Sequence, residues 1–124
     1  MNTILVVDDR PDARYALVRT LTSAGYDVRE TATGRDALRL ARMFPDLIVL
    51  DIALQDIDGF EVCRRLKSDS VTRAIPVVQK TAVFCDSEHR RRGLDAGADE
   101  YLMEPIDPQT LVDTVRRLLA PRGH

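Results

Sequence analysis

Short runs of consecutive apolar residues alternate along this chain with stretches whose apolar positions recur every three or four residues. Ile4, Leu5, Val6 and Val7 form one uninterrupted run, and Leu47, Ile48, Val49 and Leu50 form another. Such runs suit strands buried on both faces. Residues 27–31 have a weaker, alternating strand pattern around Val28, residues 75–81 a fourth strand, and residues 100–103 a fifth. Between them the spacing predicts helices. Pro11 fits a first helical turn, with Asp12 favourable near its positive end. Ala13, Leu17, Leu21 and Ala24 keep helical spacing until Gly25 stops the helix. Ala37, Leu38, Ala41 and Phe44 mark a second helix that ends before Pro45. Asp58 and Glu61 read as a capping box, with Val62, Cys63 and Leu66 on the inner face of the helix that follows. Residues 86–96 make a polar fourth helix, and Asp107-Pro108 opens a last one lined by Leu111, Val115 and Leu118.

Five strands alternating with five helices predict a (βα)5 α/β fold: one parallel sheet between two layers of helices. The apolar runs are purest in strands one and three and most mixed in two and five, which places two and five at the edges. That fits the order 2-1-3-4-5 of the flavodoxin-like three-layer sandwich, as a single domain over residues 1–124. In this order strands one and three are neighbours, and the winding reverses between them. Ligands of open α/β sheets bind in the crevice beyond the carboxyl ends at that point. Asp8 and Asp9 end strand one, and Asp51 ends strand three. A single carboxylate at a strand end commonly just caps a loop. Three at one crevice repel one another unless a hard cation sits among them, and an all-oxygen donor set points to Mg²⁺ rather than zinc.

Composition narrows the function. Eighteen Lys and Arg against 20 Asp and Glu leave a net charge of -2, so general nucleic-acid binding is disfavoured. No apolar run approaches the roughly 18 residues of a membrane span. The start, Met1-Asn2-Thr3, lacks the basic region of a secretory signal, so a reducing cytoplasm is the expected compartment. Cys63 and Cys85 make no disulfide framework, and with two histidines they make a zinc site very unfavourable. An EF-hand around Asp56 and Asp58 would need acids at 54 and 65, where Leu54 and Arg65 stand. An aspartyl phosphatase of the haloacid-dehalogenase kind would need a second Asp two residues after its nucleophile, where Ala53 stands. No phosphate-binding glycine loop follows strand one. His89 has no nucleophile partner and reads as a surface histidine.

Val6-Val7-Asp8-Asp9, Leu47-Ile48-Val49-Leu50-Asp51, Asp58-Gly59-Phe60-Glu61, Ile75-Pro76-Val77-Val78, Thr81-Ala82 and the run from Ala96 to Leu102 occur in the order and spacing of a CheY-like receiver domain. The resemblance runs from Ile4 to Leu119. It implies a non-enzymatic phosphoacceptor module of two-component signalling, limited to Mg²⁺-dependent self-phosphorylation and self-dephosphorylation. Asp51 would accept a phosphoryl group from a sensor histidine kinase or phosphotransfer protein, exposed enough at the sheet's mouth to be esterified. Asp9, Asp51 and the backbone carbonyl of Ala53 would bind Mg²⁺ directly, and Asp8 through water. Thr81 matches the switch hydroxyl and Tyr101 the switch aromatic. The face of helix four, strand five and helix five, with Arg90-Arg91-Arg92 on it, would meet a downstream protein, a kinase domain or a second copy; neither nucleic acid nor a membrane is expected there.

One position departs from that pattern. The family carries a lysine before the proline after strand five, in a peptide that is usually cis, and this chain has Glu104-Pro105. At about 4 Å and an effective dielectric of about 20, reversing one unit charge pair is worth roughly 4 kcal/mol before solvation. Glu104 is therefore expected to turn outward or to stay close to the metal. Lys80 is not expected to replace the missing ammonium, because alternation points it away from its neighbour Thr81. The loop Leu54-Gln55-Asp56-Ile57 also lacks the family's usual proline. These departures support an alternative: a pseudo-receiver, an interaction module that works without phosphate. The helix around Arg14 and Tyr15, with the non-lysine residue before Pro105, also resembles receivers attached to sensor kinases.

Overall fold

Side chains alternate across a strand, so a sheet covered on both faces needs apolar residues at every position of its central strands. In β1 (Thr3–Val7) the residues Ile4–Val7, and in β3 (Leu47–Asp51) the residues Leu47–Leu50, meet that demand. In the computed structural model, which describes residues 2–81, 91–92 and 95–120, they lie together inside one five-stranded sheet. β2 (Asp27–Thr31), β4 (Val77–Thr81) and β5 (Glu100–Met103) complete it in the order β2-β1-β3-β4-β5. Every pairing is parallel. The mixed strands β2 and β5 are the edges, as their patterns predict.

Even and odd positions sort into two cores. Leu5, Val7, Ile48, Leu50 and Val77 face α2 (Gly34–Ala41) and α3 (Gly59–Ser68), packing on Ala37, Ala41, Val62, Cys63 and Leu66. Ile4, Val6, Leu47, Val49 and Val78 face α1 (Pro11–Ser23) and the C-terminal helix α4 (Pro108–Leu119), packing on Leu17, Leu21, Leu111 and Val115. Each such aliphatic side chain contributes about 1.5–3 kcal/mol on burial. The same parity carries to the carboxyl ends. Asp8, Asp51, Lys80 and Glu104 each continue the α1–α4 face of their strands.

Several local expectations change. α2 stops at Ala41, and Phe44 lies beyond its end, 68% exposed and at φ 60°, instead of on its inner face. Pro45 disfavours helical backbone at the residue before it. β4 begins at Val77, because the Ile75 N–H closes a turn onto the Thr72 carbonyl and Pro76 has no N–H to give. Asp58 does cap α3, accepting from the Phe60 N–H, but Glu61 turns to Arg64 and Arg65 instead of back to the cap. Of the fourth predicted helix, Arg91, Arg92 and Asp95 are helical. Ala82, Cys85, His89 and Arg90 lie outside the described residues. Arg92 stacks on the Phe60 ring, its guanidinium carbon 4.5 Å from the centroid. No described helix is long and apolar enough to cross a membrane.

Gly59 fixes how α3 meets the end of β3. Its N–H donates to the Ile52 carbonyl at 3.0 Å. A Cβ there would sit 2.3 Å from the Asp51 carbonyl oxygen and 2.4 Å from the Ile52 Cα, both backbone atoms that cannot rotate away. Gly59→Ala should therefore destabilise the fold by about 3 kcal/mol, as overpacking does. A urea midpoint unchanged from the parent would show that α3 can retreat from this contact.

Candidate functional site

The carboxyl edge of the sheet gathers Asp8, Asp9 and Asp51, each offering an oxygen within 4.8 Å of the others. Asp8 and Asp51 are buried and Asp9 is half-buried. The Asp51 carboxylate is braced by its own loop, its Oδ1 accepting from the Ala53 N–H at 3.2 Å. Asp8 Oδ1 accepts from the Arg10 N–H at 2.9 Å. Its Oδ2 is paired with the Lys80 ammonium at 2.7 Å. Three convergent carboxylates, an all-oxygen donor set, fit a hard divalent cation.

Lys80 overturns an expectation. Alternation does direct it away from Thr81, but the relevant neighbour is Asp51, with which it is paired in register across β3 and β4. Both continue the α1–α4 face, so the lysine enters the acidic crevice and is 0% exposed. Of its two expected placements, Glu104 takes the inward one, beside the acidic crevice. It bonds Lys80 on one side, while Arg10 Nη2 reaches both its oxygens at 2.9 Å on the other. Arg10 Nε closes back on Asp8 Oδ1 at 3.9 Å. Asp8, Lys80, Glu104 and Arg10 thus form a closed ring of alternating charge. The repulsion expected of a glutamate at 104 does not arise, because a cation stands on either side of it.

Asp51 is also less open than expected, at 1% exposed. It converges with residues 8 and 9 as predicted. The most exposed member of the ring is Arg10, with a side chain 43% exposed. Thr81, buried at the end of β4, accepts the Glu104 N–H on its carbonyl at 2.8 Å. Tyr101 is buried in β5 opposite Gln79. The Glu104-Pro105 peptide is cis.

Titration follows from these contacts. Burial raises the pKa of Asp51 above the ordinary carboxylate value, and Asp8 adds to it; Lys80, the Ala53 N–H and Arg10 act in the opposite direction. Burial works against the Lys80 ammonium, yet hydrogen bonds to Asp8 and Glu104, with the charge of Asp51, outweigh it and hold its pKa above normal. For Glu104, burial is likewise outweighed by Lys80 and Arg10, leaving its pKa lowered from 4.5. Its contribution to stability is thus present at neutral pH and fades as pH falls below that value.

Two contributors escaped the sequence. Asp56 accepts from the N–H groups of Gly34 and Arg35 at 2.9 Å each, tying the loop after Asp51 to the start of α2. Gln79, fully buried in β4, donates to the Gly59 carbonyl at 3.0 Å. A polar residue inside a central strand was the available signal for it.

Comparison with known proteins is decisive at this point. Residues 4–116 match the model of the response regulator receiver domain. The chain belongs to that family. It is 41% identical over 120 residues to the DNA-binding dual master transcriptional regulator RpaA of Synechocystis, covering 96% of this chain and 49% of RpaA. The receiver domain of a signal transduction histidine kinase from Syntrophus aciditrophicus superposes with a TM-score of 0.88 at 33% identity, covering 96% of this chain and 90% of that one. The receiver domain of the Pseudomonas aeruginosa sensor histidine kinase PA1611, with a magnesium ion coordinated in its active site cleft, superposes at 0.87 and 29% identity, covering 95% of this chain and 97% of that one. The chain spans half or less of the length of the first curated relatives it matches.

The raised pKa of Asp51 has a measurable consequence. Protons compete with a cation for this carboxylate, and more so as pH falls. Mg²⁺ affinity should be lower at about pH 5 than at about pH 7 in calorimetric titration. Equal affinities would mean that Asp51 is fully ionised at both.

Proposed function

We propose that this receiver accepts a phosphoryl group on Asp51 from a phosphohistidine of a sensor kinase or phosphotransfer protein. The observation that carries the reading is the convergence of Asp8, Asp9 and Asp51 at the sheet's switch point in a chain of this family. An Asp51 oxygen attacks the phosphorus, the P–N bond breaks, and the imidazole leaves with the bonding pair. Later attack by water on the acyl phosphate returns the carboxylate and releases inorganic phosphate, which is the extent of its chemistry. Asp9, Asp51 and the Ala53 carbonyl would hold Mg²⁺ directly and Asp8 through water. The ion supplies charge neutralisation for the incoming phosphoryl oxygens.

Donor docking has a surface beside the site. A groove of about 370 Å³ between α1 and α4, lined in part by Ala13, Leu17, Ile106 and Leu111, opens next to Arg10 and Glu104. Output is assigned to β5, α4 and the helical residues Arg91, Arg92 and Asp95, where a downstream protein, a kinase domain or a second copy would bind. Thr81 and Tyr101 would transmit the change to that face. Met103 at its edge is half-exposed. A cytoplasmic setting accords with a kinase as donor. The phosphate-independent alternative rests on Glu104, and the Lys80 ammonium bonded to that residue weighs against it.

Incubation with acetyl phosphate and Mg²⁺ should raise the intact mass by one phosphoryl group (HPO₃), and Asp51→Asn should abolish the increase. A parent chain that never gains this mass, at any Mg²⁺ concentration, would return the reading to the pseudo-receiver.

A further inference from the structure

We infer that Lys80, reaching the site from β4, is the cation that engages the phosphoryl group on Asp51, and that Glu104 and Arg10 hold it in reserve until then. The inference rests on the phosphoacceptor reading and adds the residue that recognises the transferred group.

Position carries the first part of the argument. Lys80 is the register partner of Asp51 on the adjacent parallel strand and shares its face of the sheet. It is fully buried with its ammonium at Asp8 and Glu104, so it is confined to the crevice. Among the described residues, Arg10 and Lys80 are the cations that act on the Asp51 carboxylate. Of the two, Lys80 is the one held inside.

Charge carries the second part. Asp8, Asp9, Asp51 and Glu104 bring four negative charges, and Lys80 with Arg10 brings two positive ones. The excess of two is what one divalent cation neutralises. A cation held at Asp8 through water would compete, by that water, with the Lys80 ammonium for the carboxylate. A phosphoryl group on Asp51 then adds one further negative charge, and its oxygens are the nearest new acceptors for the released ammonium. Glu104 competes for the same ammonium. Arg10, bonded to both Glu104 oxygens, offsets that competition, because Glu104 keeps a partner when Lys80 swings away. Glu104 and Arg10 are therefore positioning residues.

Lys80→Met and Glu104→Gln test this against the parent, with folding checked by circular dichroism. Mg²⁺ binding to the unloaded protein is measured by calorimetry. Beryllofluoride binding at saturating Mg²⁺ is measured by fluorine NMR. Lys80→Met should bind Mg²⁺ more tightly, since an ammonium no longer competes for Asp8. It should bind beryllofluoride at least about tenfold more weakly, the worth of one charged hydrogen bond. Glu104→Gln should bind beryllofluoride more tightly than the parent, because Lys80 is released more easily. A folded Lys80→Met protein with parental beryllofluoride affinity overturns the inference. If that variant does not fold, a Glu104→Gln protein that binds no more tightly than the parent overturns it. A parent that binds Mg²⁺ but no beryllofluoride overturns the phosphoacceptor reading itself.

Discussion

Like charges gathered at the end of a parallel sheet are the constraint around which this molecule is arranged. Strand geometry forces the crowding: parallel strands end together, and alternation aims Asp8, Asp51 and residue 104 to one side. Without compensation, that many carboxylates in a sparsely hydrated crevice would take up protons or push the strand ends apart. Two cations relieve it, Lys80 from the sheet and Arg10 from the turn before α1. The lysine continues the face of Val78, which packs in the α1–α4 core.

The fold was legible because it depends on patterns within single segments. Four consecutive apolar residues in β1 and in β3 betray two covered faces, and the mixed edges β2 and β5 betray one. Asp8, Asp9 and Asp51 were legible for a related reason, since each terminates such a run. Where the reading failed, the missing information was a relation between segments. Lys80 was judged against Thr81, its neighbour in sequence, although its surroundings are set by Asp51, 29 positions away. Glu104 was judged as a lone charge, because the arginine that partners it stands 94 residues earlier. The covering of Asp51 has the same origin. Phe44 was misplaced for a smaller reason: helical spacing continued on paper beyond the point where the backbone had already turned ahead of Pro45.

The rest of the site's support is backbone chemistry that side-chain patterns do not advertise. Asp56 joins the loop after Asp51 to α2, and Gln79 joins the sheet to the first residue of α3. Cys63 lies inside the α3 core with its thiol pushed up to about 11 by burial, so it acts as a small apolar residue and not as a nucleophile.

The bare Cα of Gly59 has a mechanical meaning as well. With no side chain between them, the amino end of α3 bears directly on the peptide of Asp51 and Ile52. Any shift of that peptide meets the helix with no side chain to absorb it.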